Sequence, residues 1–100
     1  MTLDYVVGQL NLRKKRATYG AVAGIVGGLP RGLMQHRPKN HLNSWVLSKA
    51  DGLPTGYNKE QIHPDCLRSI LERPGDVIAD CETLKAWLKG AVGVPSFRQL

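Results

Sequence analysis

Apolar residues near the start of the chain recur with a helical period. Leu3, Val6, Val7 and Leu10 stand at i, i+3, i+4 and i+7, a spacing that lines one face at about 100° per residue. It predicts a helix over residues 2–11. After a basic connection, Thr18 heads a second such pattern, Tyr19, Val22, Ala23 and Val26. A threonine suits that position because its hydroxyl accepts a bond from the unpaired N–H groups of the first turn. Gly27-Gly28 closes the helix, since glycine takes left-handed conformations without a Cβ penalty. Pro30 fits the first turn of a further short helix, predicted over 30–36.

Beyond Pro38 the period changes. Residues 37–40 read as a loop, and Trp45-Val46-Leu47 is a short, apolar, β-prone run. Asp51-Gly52 marks a turn, and Leu53 to Tyr57 continues it as a wing-like excursion. His63-Pro64-Asp65 opens another helix, with Pro at its first position and an acid in its first turn. Cys66, Leu67, Ile70 and Leu71 are expected on its buried side, and Pro74-Gly75 stops it. Asp76 to Ala79 reads as a short strand. Asp80 caps a last helix whose apolar stripe is Leu84, Trp87 and Leu88, and residues 90–100 read as a loose tail.

These elements predict an α+β fold, a small winged helix-turn-helix domain, mostly helical with a short β wing. At 100 residues a single core, and so a single domain over 1–100, is the expectation. With 42% hydrophobic and 22% charged residues, the composition is that of an ordinary globular protein. No apolar run reaches the roughly 20 residues of a membrane span. The opening Met-Thr-Leu-Asp-Tyr-Val-Val has no basic segment before its apolar stretch, so no secretory signal is expected. Two cysteines, Cys66 and Cys81, fit a reduced, cytoplasmic setting.

Charge changes the picture most. Residues 1–50 hold eight Lys or Arg against Asp4 alone, a net +7, whereas residues 51–100 hold six against seven carboxylates, a net −1. The formal charge of +6 thus lies in the N-terminal half. A one-sided cationic surface is what a polyanion needs, because each neutralised phosphate releases counterions. Arg13, Lys14, Lys15, Arg16, Arg37 and Lys39 are the candidate phosphate contacts. Read from the residues alone, the same run also suits a solvated face. His63-Pro64-Asp65-Cys66 with Cys81 lacks the paired spacing of a zinc site. No metal, cofactor or small-molecule substrate is expected, and no nucleophile–base pair marks an enzyme.

Several segments carry a family resemblance. The basic approach leads into Thr18-Tyr19-Gly20-Ala21-Val22-Ala23, and Pro30-Arg31-Gly32-Leu33-Met34 follows. Asn43-Ser44-Trp45-Val46-Leu47-Ser48 then precedes Ala50-Asp51-Gly52, and Leu67-Arg68-Ser69-Ile70-Leu71-Glu72 comes last. Over roughly residues 3–88 this order resembles the DNA-binding domain of the alkylguanine-DNA alkyltransferases and their alkyltransferase-like relatives. Thr-Tyr-Gly and Asp-Gly are its close matches. The resemblance implies a DNA-repair setting and duplex DNA as partner. It implies that Tyr19, with Thr18 beside it, meets the phosphate next to a rotated nucleotide. It also implies that Arg31 fills the space left in the base stack. Ser44, Trp45 and Tyr57 are the candidate lining of a base pocket, where stacking and edge hydrogen bonds would hold a flipped base; read from the residues alone, Trp45 in its short apolar run also suits the core.

The departures bear on chemistry. Ser44 stands where the family has its reactive Cys, Trp45 where it has His, and Val46 where it has Arg. Alkyl transfer needs a thiolate with an adjacent base, so a non-enzymatic DNA-binding protein is expected. The alkyltransferase-like branch places a Trp at the Cys position, and here the Trp comes one residue later. Two alternatives stay open at this point: a sequence-specific winged-helix transcriptional regulator, and a basic module that meets an acidic protein partner.

Overall fold

The structure is a computed structural model and describes residues 1–93. Its core is organised by three short parallel strands: β1 (Arg16–Thr18), β2 (Val46–Leu47) and β3 (Val77–Ile78), in the order β2-β1-β3. Ala17 faces Val46 on one side and Ile78 on the other. All three residues of the central strand are buried, as expected where connecting segments cover both faces of a parallel sheet. Four helices surround it: α1 (Leu3–Arg13), α2 (Tyr19–Val26), α3 (Pro64–Glu72) and α4 (Cys81–Gly93). The fold is a small, mostly helical α+β domain.

Local signals place most of these elements. Val6, Val7 and Leu10 are fully buried on α1, and Thr18 Oγ1 accepts from Ala21 N–H at 3.1 Å to cap α2. Gly27, at φ +91°, ends that helix. Pro64 opens α3, behind His63 as cap. Asp80 Oδ1 accepts from Thr83 N–H at 2.8 Å at the head of α4, where Leu84 and Leu88 are buried. Within the region expected to be a loose tail, α4 runs on to Gly93, and residues 94–100 lie outside the described residues. No helix among the described residues is long and apolar enough to cross a membrane.

Three expectations need correction. The segment 30–36 is a single 3-10 turn, Pro30–Gly32, followed by hydrogen-bonded turns rather than an α-helix. Its bonds run i to i+3, Gly32 N–H to Leu29 C=O and Leu33 N–H to Pro30 C=O. No side chain caps it, and Gly32 adds helix-breaking entropy. The excursion after Asp51-Gly52 contains no strand among the described residues. Instead Ser48 N–H reaches Leu53 C=O at 2.9 Å and Gly52 N–H reaches Ser48 C=O at 2.8 Å, a closed loop with Gly52 at φ +72°. Leu71 is 75% exposed. It lies five residues beyond Cys66, about 140° around the helix, and Ser69 takes the buried place instead.

The helices pack closely at one point. A Cβ on Gly24 of α2 would sit 2.5 Å from Cys81 Cβ on α4. Gly24→Ala is therefore expected to destabilise by about 1–3 kcal/mol, despite alanine's better helix propensity. Gly8 in α1 has open space around the same position, so Gly8→Ala is expected to stabilise by about 0.5–1 kcal/mol. Urea denaturation of the two variants checks both signs.

Candidate functional site

The carboxyl ends of all three strands open on one side. Thr18 ends β1 and Tyr19 and Gly20 follow it, Ser48, Lys49 and Ala50 follow β2, and Ala79 follows β3; all of them line one cavity of about 740 Å³. Crevices at the carboxyl edge of parallel strands are the usual ligand sites of such sheets, and this volume falls within the roughly 300–1,000 Å³ of small-molecule sites. The remaining wall comes from Pro30, Arg31, Met34, Gln35, Arg37 and Lys39, and from Thr55 and Tyr57. Four cations and two tyrosines thus border the cavity, and no carboxylate is among the lining residues.

Hydrogen bonds hold the wall in place. Tyr19 leads α2, and its Oη accepts from Thr55 N–H at 2.8 Å, which ties the loop after Asp51-Gly52 to the helix. Arg37 Nε donates to Asn43 Oδ1 at 2.8 Å and Nη1 to Asp4 Oδ1 at 2.6 Å. Asn43 is buried, and its Nδ2 donates to Pro38 C=O at 2.9 Å, so the basic loop is closed around one fixed amide. Lys39 passes over Gly56, where a Cβ would lie 2.9 Å from its Cε. Burial, then the neighbouring Tyr19, push the Tyr57 phenol above its ordinary pKa, so it is a hydrogen-bond donor at neutral pH. Arg31, Lys39 and Lys49 are exposed and form no ion pair among the described residues.

Thr18, Tyr19, Arg31, Arg37, Lys39 and Tyr57 are therefore brought together. The run 13–16 is not with them. Arg13 lies over the Trp87 ring, 3.6 Å from its centroid, and donates to Trp87 C=O at 3.0 Å. Lys14 pairs with Asp65 at 2.7 Å and Lys15 with Asp76. Arg16 is 2% exposed and donates to the carbonyls of Arg73 and Asp76. The physical reason is β1: making it the central strand draws Arg16 inside and sets its neighbours against Asp65 in the first turn of α3 and Asp76 just before β3.

Ser44 and Trp45 are also displaced from their expected role. Both are fully buried, and neither lines the cavity. Ser44 Oγ donates to His41 C=O at 2.8 Å and accepts from His63 N–H at 3.0 Å. Trp45 Nε1 donates to Asn11 Oδ1 at 2.8 Å, and its ring lies 5.4 Å from that of His63. The 3-10 turn Leu42–Trp45 rolls both side chains against α1 and the segment before α3. Burial pushes the Cys66 thiol up to about 11, so it is protonated at neutral pH. Lys49, Ser48 and Thr55 were not singled out from the sequence. The available signal for Ser48 and Lys49 was their place just after a short apolar run, which becomes informative once that run is known to be a parallel strand; Thr55 carried none.

The ion pairs of the 13–16 run predict acid sensitivity. The bond from Lys14 holds the Asp65 carboxyl below its ordinary pKa, that from Lys15 does so for Asp76, and the Thr83 N–H for Asp80. A depressed folded pKa contributes stability above the unfolded value of about 3.9, lost as pH falls through the folded one. The urea midpoint is thus expected to hold from pH 7 to about 4 and to fall below that. The fall should be shallower in an Asp65→Asn, Asp76→Asn, Asp80→Asn variant.

No family model, curated protein or solved structure matches the chain.

Proposed function

We propose that this protein binds DNA without acting on it, and that the cavity at the sheet edge receives a nucleotide. One observation carries the reading: four cations and two tyrosines surround a cavity whose lining residues include no carboxylate. Phosphates meet Arg31, Arg37, Lys39 and Lys49, and a ring turned inward meets Tyr19, Tyr57 and Met34. Aromatic walls with a cationic rim are what an extruded or unpaired nucleotide requires.

The resemblance to the alkyltransferase-like proteins supports the same reading and adds a damaged base as candidate ligand. In this view α2 and the turn at Pro30–Gly32 act as a reduced helix-turn-helix, and the loop 48–57 as a wing without strands. Absence of transferase chemistry is part of the proposal. The serine at the reactive position is buried, with its O–H committed to His41 C=O and its oxygen accepting from His63 N–H, and Cys66 is a buried, protonated thiol away from the cavity lining. A cytoplasmic setting belongs to the proposal too, supported by two free thiols.

The test is fluorescence anisotropy with two duplexes of one sequence, one carrying a guanine alkylated on its exocyclic oxygen. Binding is expected to both, with a log–log salt slope of about −3, the value for three to four phosphate contacts. Tighter binding to the alkylated duplex would establish damage recognition. Strong preference for one unmodified sequence would favour the transcriptional regulator, and no binding to either would favour an acidic protein partner.

A further inference from the structure

The residue expected to plug the base stack lines the cavity instead. Arg31 borders the same space as Tyr19 and Tyr57. It also stands on a 3-10 turn of three residues, about 6 Å long at the 3-10 rise. A groove-reading protein presents an α-helix or a β-ribbon to the duplex. Here the described residues between α2 and β2 contain no α-helix and no strand. All four cavity cations sit on these segments or on the loop after β2, around the mouth rather than along a helix face.

Drawing a base out of intact duplex has an unstacking and unpairing cost, which is smallest when the nucleotide is already unpaired. A protein that keeps the base outside the helix must offset that cost by filling the gap. With its arginine on the cavity wall and no α-helix among the described residues between α2 and β2, the basic loop offers little to offset that cost. The cavity's cation rim suits the phosphates on either side of one nucleotide, and its aromatic interior suits the ring between them.

Resting on the DNA-binding reading above, we infer that the cavity's ligand is a nucleotide already unpaired, in a single strand or a bulge, and not a base extracted from perfect duplex. The full chain is titrated by anisotropy with three labelled DNAs of one sequence: a single strand, a duplex with a one-nucleotide bulge, and the fully paired duplex. Single strand and bulge are expected to bind about ten- to a hundredfold tighter than paired duplex. An abasic residue at the bulge keeps the phosphates and removes the ring, and is expected to lose most of that gain. Arg31→Ala, at an exposed position, is expected to weaken single-strand and bulge binding; an arginine that plugs the stack would weaken binding to paired duplex alone.

Equal or tighter binding to paired duplex, or a gain that survives in the abasic bulge, overturns the inference and leaves DNA binding standing. Failure to bind all three DNAs removes the DNA reading together with it.

Discussion

Replacing Arg31, Lys39 and Lys49 together with alanine is expected to remove most DNA affinity while leaving the fold intact. The three side chains are exposed and without ion pairs among the described residues, so their loss should shift stability by no more than about 0.5 kcal/mol each. Each phosphate contact contributes about 0.9 to the log–log salt slope. Losing three should flatten a slope of about −3 to about −1 or shallower, the share that Arg37 alone supplies. Arg37 is kept in this variant because its bonds to Asn43 and Asp4 brace the loop. The matching control is Lys14→Ala with Lys15→Ala. Those lysines pair with Asp65 and Asp76 and do not line the cavity, so the slope should barely change. A control that loses as much affinity as the triple variant would put the interface on the opposite face.

Trp45→Ala carries the largest expected effect on stability. The side chain is fully buried, packs in the same cluster as Val6, Leu10 and Cys66, and bonds Asn11 through its ring N–H. Truncating a buried aromatic costs about 3–5 kcal/mol, and the stranded Asn11 adds to it. Against a total stability of about 5–15 kcal/mol for a domain, that should leave a large unfolded fraction, visible in a urea titration followed by circular dichroism. Trp45→Phe keeps most of the packing and loses the hydrogen bond, so it should fold and bind DNA normally. If Trp45→Phe kept its urea midpoint yet lost binding, the tryptophan would belong to a base pocket after all.

What was legible in the sequence follows the range of the interactions involved. Thr18, Gly27, Pro64 and Asp80 act on their own turns, and each marks the helix end it was expected to mark. The stripe Val6, Val7, Leu10 needs only the period of one helix. Two strands were legible as the short apolar runs at Val46-Leu47 and Val77-Ile78, but β1 and the parallel pairing were hidden, because Arg16–Thr18 has no strand pattern of its own and Ala17 finds Val46 and Ile78 far along the chain. The fate of Arg13 to Arg16 was hidden for the same reason. A charge run shows its sign in sequence but not its partners, and here Trp87, Asp65, Asp76 and the carbonyl of Arg73 take all four.

The candidate site was legible in part. Tyr19, Arg31, Arg37, Lys39 and Tyr57 were named from charge and from a family resemblance, and they border one cavity. Ser44 and Trp45 were named from alignment to a reactive segment, but the 3-10 turn Leu42–Trp45 turns them inward. Lys49 was missed because its meaning depends on the carboxyl end of β2 lying beside that of β1.

In the proposed mode of binding the cavity at the sheet edge, and not the basic run after α1, meets DNA. Backbone amide shifts of isotope-labelled protein, followed through a titration with the bulged duplex, test it most directly. The expected result is that the largest changes fall at Tyr19, Gly20, Arg31, Lys39, Lys49 and Tyr57. Changes concentrated at Lys14, Lys15 and Arg68, with the cavity amides unmoved, would contradict it.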